Sequence, residues 1–419
     1  MEKLLITGKH RMKGEINLSG MKNSALPIIF SCLLVSGDCV IHNIPVVSDV
    51  ENSLEILRSM GARAEFVGRN TILINTDYAS NHIGKMELVS KMRASSYLMG
   101  TTLARFGSVS IAFPGGCNFG VRPLDLHFKG FEDMGASFSV NEEKIELKVN
   151  KRLKCSKITL DKISVGATIN MVLASALTEG ESIIKNVANE PHVDDLICFL
   201  NSCGAKILRN GNAVIVNGVK SLYGKEYTIM PDTIEGLTYL TYLGITGGEI
   251  ILNNVNSEHL RCATEIFKNM GMRISTREDR LFAFVDKQLN GVSVKTSPYP
   301  GFPTDLHPQF ASLLSFCKGG GKIIEDVFPT RFKYVYELQK AGVIIANNEN
   351  VAIIDESIHH PAILDATDLR AGAGLVGVAL GIDGESTINN VNYIVRGYES
   401  LVEKLTSVGC KIKLKKGDN

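Results

Sequence analysis

One pattern of apolar and polar positions returns six times along the chain. An apolar helical stretch ends in a glycine, a β-branched strand follows, a second helix ends in another glycine, and more strand comes after it. The first glycine falls at Gly37, Gly107, Gly180, Gly248, Gly320 and Gly384, ahead of strands such as Cys39-Val-Ile-His-Asn-Ile, Ser182-Ile-Ile-Lys-Asn-Val and Lys322-Ile-Ile-Glu-Asp-Val. The second falls at Gly61, Gly135, Gly204, Gly271, Gly342 and Gly409, where glycine suits a helix C-terminus. The longest separation runs from Gly107 to Gly135, and its excess lies in a loop around Cys117.

The first helix of each unit is apolar nearly all round, as in Ala25-Leu-Pro-Ile-Ile-Phe-Ser-Cys-Leu-Leu-Val. Such helices belong in a core wrapped by sheet, and strict all-parallel winding is disfavoured. After Gly135 come two strands, Ala136-Ser-Phe-Ser-Val and Lys144-Ile-Glu-Leu-Lys-Val, but after Gly409 there is only Cys410-Lys-Ile-Lys-Leu. The last unit therefore lacks a strand. The run Lys3-Leu-Leu-Ile-Thr is expected to fill that gap, while Gly14-Glu-Ile-Asn-Leu is expected to serve the first unit. Two similar α/β domains of three units each follow from this count.

Composition narrows the partners. With 419 residues there is enough chain for two cores. Lysine plus arginine number 45 against 44 acids, so no general basic field is present for nucleic acid or an anionic membrane. Nine cysteines without framework spacing suit a reducing compartment. The opening residues have no apolar core of signal-peptide length and no run approaches a membrane span, so a cytoplasmic setting is expected. Oligomeric state stays open, with a monomer plausible.

The candidate chemistry sits at helix starts. The polar groups there read Met21-Lys-Asn-Ser, Lys91-Met-Arg-Ala, Ser164-Val-Gly-Ala, Asp232-Thr-Ile-Glu, Thr304-Asp-Leu-His and Thr367-Asp-Leu-Arg. Ser164, Asp232, Thr304 and Thr367 read as helix caps. Lys22, Arg93 and Arg370 do not, because a cation in a first turn opposes the helix dipole and needs an anion nearby. Arg122, Arg331 and Arg396 precede the second glycine at matching places in three units. Together these cations suit phosphate and carboxylate. Cys117, in Pro114-Gly-Gly-Cys-Asn-Phe-Gly-Val-Arg-Pro, lies on a loop where the nearby Arg122 would favour the thiolate.

Other motifs carry less. Gly372-Ala-Gly-Leu-Val-Gly fits the dinucleotide pattern, but by equivalence between units it lies inside a first helix and reads as close helix packing. Lys318-Gly-Gly-Gly-Lys reads as a turn. The spacings of Cys198 with Cys203 and of His359 with His360 imply no metal. Asp305 can be read as a base, but taken alone it reads as a first-turn acid favourable to the helix dipole.

The segments Leu18-Ser-Gly-Met-Lys-Asn-Ser-Ala-Leu-Pro, Phe113-Pro-Gly-Gly-Cys, Gly120-Val-Arg-Pro-Leu-Asp-Leu-His, Phe302-Pro-Thr-Asp and Ala366-Thr-Asp-Leu-Arg resemble the enolpyruvyl transferases, in the branch of UDP-N-acetylglucosamine 1-carboxyvinyltransferases. The resemblance covers essentially the whole chain. It implies a two-domain inside-out α/β barrel, with residues 22–230 as one domain and 1–21 plus 231–419 as the other. It also implies transfer of the enolpyruvyl group of phosphoenolpyruvate to the 3'-hydroxyl of UDP-N-acetylglucosamine, with release of phosphate and without a cofactor. By matching positions, Lys22, Arg122 and Arg396 serve the phosphate, and Arg331 and Arg370 the carboxylate. Cys117 is the acid and Asp305 the base near the hydroxyl.

Acceptor positions implied in the same way are Asn23, Arg93, Arg122, Pro123, Leu124, Asp125, Leu126, Lys162, Ile163, Ser164, Val165, Asp305 and Val327. Asn23 is also implied in phosphoenolpyruvate binding, and Asp232, Asp368 and Glu190 are further polar candidates. Three positions depart from the family pattern: Thr233 stands for an arginine, Val395 for an aspartate and Met21 for an alanine. They keep two alternatives open, a paralogue acting on another nucleoside or sugar nucleotide, and a non-catalytic UDP-sugar sensor. A sensor would be expected to lose Cys117 or Asp305, and both are present.

Overall fold

A computed structural model describes residues 2–115 and 124–416. They form two compact units, one of residues 20–115 and 124–230, the other of residues 2–19 and 231–416. All twelve glycines that punctuate the repeat have positive φ, from 61° at Gly320 to 120° at Gly384. The six apolar helices are Lys22–Ser31, Tyr97–Phe106 and Val165–Ser175 in the first unit, and Thr233–Thr246, His307–Ser315 and Leu369–Gly381 in the second. Those of the second unit pack on one another. In the first unit, the Tyr97 helix packs on both of the others.

Strands around these helices alternate buried and exposed positions, as half-buried sheet should. The regular sheet combines a parallel crossover with an antiparallel pair. Lys157–Thr159 leads through the Val165 helix to the parallel strand Glu181–Lys185, which pairs antiparallel with Ala213–Asn217, itself paired with Lys206–Asn210. The order is repeated by Ser293–Lys295, Gly321–Ile324, Val351–Ile354 and Ile345–Asn348. The opening strand Lys3–Thr7 lies between Glu385–Asn389 and Lys411–Lys415, antiparallel to both, and completes the sixth unit as expected.

The strand after it corrects the sequence reading. Met12–Asn17 does not serve the first unit of the repeat; it runs parallel to Gly248–Asn253 of the fourth. The first unit takes Glu226–Thr228, parallel to Cys39–His42. Sequential elements usually pair, and on that rule the strand before the Lys22 helix belongs with that helix. Here the chain changes unit at Gly20, so the strand stays behind and the two edge strands are exchanged.

The points of change are tightly held. A Cβ on Gly20 would lie 1.6 Å from the Asn43 carbonyl oxygen, so only glycine passes there. In the unit of residues 20–230, the Met21 N–H donates to the Met230 carbonyl at 2.8 Å, and Asp195 accepts from the Met230 N–H at 3.1 Å, from Tyr227 Oη at 2.6 Å and from Ser24 Oγ. In the other unit, the Asp232 N–H donates to the Ser19 carbonyl at 2.8 Å. There Glu235 accepts from the Ser19 N–H at 2.7 Å and from Lys404 Nζ at 2.6 Å. Gly372, Gly374 and Gly377 lie within the Leu369 helix, and a Cβ on Gly374 would lie 2.8 Å from the Pro308 carbonyl oxygen. The glycines of the apparent dinucleotide motif therefore serve helix packing.

Candidate active site

In the unit of residues 231–416 the polar groups converge on Asp305, in the single turn Thr304–Leu306 that enters the His307 helix. Arg331 Nη1 donates to Asp305 Oδ1 at 2.9 Å, and Arg370 Nη2 donates to Oδ2 at 3.1 Å. The two arginine side chains are 3% and 6% exposed against 26% for the carboxylate, so the cations are buried and the acid between them faces outward. Arg370 Nη1 also donates to Tyr398 Oη at 3.1 Å. Burial opposes the charge on Arg370, yet Tyr398, Asp305 and Asp232 raise its pKa above the usual arginine value. Tyr398 is kept protonated by burial, so at neutral pH it acts as a hydrogen-bond acceptor and the carboxylates supply the compensating charge.

A second layer fixes this cluster. Gln309 Nε2 donates to Tyr398 Oη at 3.0 Å. The Thr238 hydroxyl donates to the Ile234 carbonyl at 2.7 Å, so the Tyr398 hydroxyl must donate to Thr238 Oγ1 at 3.0 Å. Arg331 Nη1 lies 2.7 Å from the Thr304 carbonyl oxygen and 2.8 Å from its hydroxyl. Asp232 caps the Thr233 helix through the N–H groups of Ile234 and Glu235, and Asp368 caps the Leu369 helix through those of Arg370 and Ala371. The cap before the Leu369 helix is thus Asp368 and not Thr367. Thr304 is no cap either: it lies inside the turn Thr304–Leu306, the cap positions are Pro303 and Leu306, and its hydroxyl donates to Glu325 at 2.9 Å. Arg396 is half-buried and closes the short helix Asn392–Val395 instead of opening the next one. Val327 is half-buried and donates its N–H to Glu325.

The unit of residues 20–230 is built with less charge. Lys22 Nζ donates to Asp49 Oδ2 at 3.0 Å, with side chains 13% and 5% exposed. The first-turn lysine thus has its carboxylate. Asn23 is half-buried next to it. Asn170, fully buried on the Val165 helix, accepts from the Gly100 N–H at 2.8 Å and donates to the Ser96 carbonyl at 3.1 Å and to His127 Nδ1 at 3.0 Å. Accepting at Nδ1 places the proton of His127 on Nε2. Burial, reinforced by Arg93, lowers the His127 pKa to about 3.

Around this histidine stand the expected acceptor positions. Leu124 is buried, Leu126 half-buried and Asp125 exposed, at the start of the helix that carries His127. Ser164 and Val165 are half-buried, Lys162 and Ile163 exposed, and Ser164 caps its helix by accepting from the Ala167 N–H. Arg93 opens the turn Arg93–Ser96. Glu190 stands at the cap position of the Pro191–Ser202 helix without a side-chain cap bond. Cys117, Arg122 and Pro123 lie outside the described residues. Of the three departures, Met21 and Thr233 are buried and Val395 is 42% exposed. Asp49, Tyr398, Thr238 and Gln309 were not among the sequence candidates: Asp49 is a first-turn acid of the Ser48–Ser59 helix, which the dipole alone explains, and the other three do not fall at the polar helix starts of the repeat.

Known proteins bear on this arrangement. The family model described as EPSP synthase (3-phosphoshikimate 1-carboxyvinyltransferase) matches residues 6–405. UDP-N-acetylglucosamine 1-carboxyvinyltransferase of Halothermothrix orenii is 42% identical over 414 residues, covering 99% of each chain. The second such enzyme of Carboxydothermus hydrogenoformans is 41% identical over 418 residues, again covering 99% of each. The chain belongs to the UDP-N-acetylglucosamine 1-carboxyvinyltransferase family. Its fold is that of the enolpyruvyl transferases: the crystal structure of the enolpyruvyl transferase NikO from Streptomyces tendae superposes with a TM-score of 0.91 at 24% identity, covering 100% of this chain and 99% of that one. EPSP synthase from Acinetobacter baumannii superposes with a TM-score of 0.76 at 17% identity. Among the described residues no helix is long and apolar enough to cross a membrane.

Proposed function

We propose that this chain transfers the enolpyruvyl group of phosphoenolpyruvate to the 3'-hydroxyl of UDP-N-acetylglucosamine, releasing phosphate, in the cytoplasm and as a step of peptidoglycan synthesis. The observation that carries the reading is Asp305 held, partly exposed, between two buried guanidiniums. Relatives more than 40% identical over nearly the whole chain carry the same activity in their names. An incoming carboxylate can share Arg331 and Arg370 with Asp305, which leaves the exposed lone pairs of Asp305 for the proton of the attacking hydroxyl. The C–O bond to C2 of phosphoenolpyruvate forms as Cys117 gives its proton to C3. Loss of a proton from C3 then expels phosphate. Lys22, Arg122 and Arg396 are assigned the phosphate.

The test is phosphate release from phosphoenolpyruvate with a panel of acceptors. Turnover should require UDP-N-acetylglucosamine and be absent with shikimate 3-phosphate. Turnover only with another nucleoside would place the chain as a paralogue, and silence with every acceptor despite UDP-sugar binding would make it a sensor. In the same assay Cys117→Asp should outperform Cys117→Ser and Cys117→Ala, because only the aspartate keeps an acid that ionises in the working range. A phosphonate epoxide such as fosfomycin should alkylate the wild type at Cys117 and spare the aspartate variant.

A further inference from the structure

Glu325 is a fully buried carboxylate that none of the roles above uses. Its Oε1 accepts from Thr296 Oγ1 at 2.9 Å and from the N–H groups of Val327 and Phe328 at 2.9 and 2.8 Å. Its Oε2 accepts from Thr304 Oγ1 and from His307 Nδ1, both at 2.9 Å. His307 is itself fully buried, and its Nε2 accepts from Tyr334 Oη at 2.7 Å. Burial alone would raise the pKa of Glu325, but the bonds from His307, Phe328 and Thr296 outweigh it and hold the carboxyl below its ordinary value. The His307 pKa is lowered as well, here by burial, so the ring stays neutral and directs its single proton at Glu325.

The internal repeat marks this residue as a local departure. Aligning the strand ends of the repeated units places Glu325 level with His42, Lys185, Asn253 and Asn389. None of those four is buried. The residue after each of them is an asparagine with positive φ, at Asn43, Asn186, Asn254 and Asn390. Its side chain donates to the carbonyl just beyond the edge strand, of Ile229, Leu160, Leu18 and Ala366 respectively. In the fifth unit the level residue is Asp326, which lacks the positive φ, and the edge strand is tied instead by the Asp326 N–H donating to Thr296 Oγ1 at 3.0 Å. The fifth unit thus gives up the tie used by four others and carries an inward carboxylate beside the Asp305 turn.

Resting on the enolpyruvyl-transfer reading, we propose that Glu325 is a positioning residue that orients Arg331, and through it Asp305, by way of the Thr304 hydroxyl. A hydroxyl has one proton. With that proton committed to Glu325, Thr304 Oγ1 has only lone pairs to offer, and Arg331 Nη1 takes one at 2.8 Å while also holding Asp305 Oδ1 at 2.9 Å. In Glu325→Gln the amide oxygen must stay with the two backbone N–H groups, which cannot reverse. The amide nitrogen then faces Thr304 and His307. His307 accommodates it by moving its proton to Nε2, but Thr304 accepts from the amide and turns its own proton toward Arg331.

The experiment is steady-state kinetics of phosphate release on wild type, Glu325→Gln, Thr304→Val and the double variant, with Thr296→Val as a control that touches Glu325 but not Arg331. Loss of one hydrogen bond to a charged group should lower kcat/KM for phosphoenolpyruvate about tenfold or more in Glu325→Gln. KM for UDP-N-acetylglucosamine should stay within about twofold, a split that a general loosening of the fold would not give. Thr304→Val should reproduce the defect, and the double variant should be no worse than either single one, because both cut the same relay. Additive losses, an unchanged Glu325→Gln enzyme, or a control as impaired as the others would overturn the proposal. If Glu325→Gln does not fold, a Thr304→Val enzyme with wild-type kinetics overturns it and one with the stated split supports it. A wild type silent with every acceptor overturns the enolpyruvyl reading and this proposal together, whereas an active wild type with additive variants overturns this one alone.

Discussion

The cluster on Asp305 and the knot around His127 both pack on core helices, yet one is charged and the other neutral. In the first, two buried guanidiniums share one carboxylate that keeps a quarter of its surface exposed. In the second, an amide side chain satisfies a backbone N–H, a backbone carbonyl and an uncharged imidazole. Buried cations cost free energy unless paired, and the first arrangement pairs them through a carboxylate that still presents a face to an incoming anion. The second arrangement is neutral, so it offers no charge to a ligand and serves to fix shape. Similar repeat units therefore carry different work according to whether the polar groups gathered on their core helices are charged.

Removing Asp305 should break this contrast most severely. Asp305→Ala deletes the proposed base and leaves Arg331 and Arg370 facing each other, so kcat for phosphate release should fall by about two to four orders of magnitude. Loss of less than tenfold would remove Asp305 from the chemistry. In the neutral knot the expected effect falls on stability. Asn170→Ala strands the Gly100 N–H and the Ser96 carbonyl and should cost about 2–4 kcal/mol in chemical denaturation, and a cost under about 0.5 kcal/mol would show that the knot is dispensable.

A smaller effect separates the two regions by pH. The folded pKa of His127, about 3, lies below its unfolded value of roughly 6.5, so the unfolded chain binds the proton first. The stability contributed by neutral His127 is complete above about pH 6.5 and falls by about 1.4 kcal/mol per pH unit as the pH drops toward 3. His127→Gln should flatten the acid limb of the stability curve by that slope, leaving the parts due to His307 and His359, whose pKa values burial also lowers. An unaltered limb would mean that His127 does not stay neutral in the folded protein. The smallest effect is expected far from either region. At Gly204, φ is +106° and an added Cβ meets nothing within 4 Å, so Gly204→Ala should cost only the backbone strain of about 1 kcal/mol. A larger loss would point to packing that the space around Gly204 does not suggest.

What the sequence made legible was whatever repeats. Glycines at twelve fixed places marked the helix ends and the turns into strands because each occupies a backbone region that other residues avoid, and the missing strand of the last unit followed from counting. The exchange of Met12–Asn17 for Glu226–Thr228 was invisible, since periodicity reports that a strand exists and not which neighbour it chooses. Lys22 and Arg370 stood out because a first-turn cation demands a partner, but the partners Asp49 and Asp305 are 27 and 65 residues away and no local pattern names them. Glu325 could have been found by aligning the units against one another, where an acid stands level with His42, Lys185 and two asparagines.

The strand Lys3–Thr7 has a consequence for synthesis. It is translated well before both its neighbours, Glu385–Asn389 and Lys411–Lys415, which lie about 380 to 400 residues further along the chain. At roughly 5–20 residues per second it waits about 20–80 seconds for them. In that interval the unit of residues 20–230 can be translated and folded whole, while Lys3–Thr7 keeps both its edges open until its neighbours arrive. The order of translation and the order of assembly are thus opposed in one half of this protein and aligned in the other.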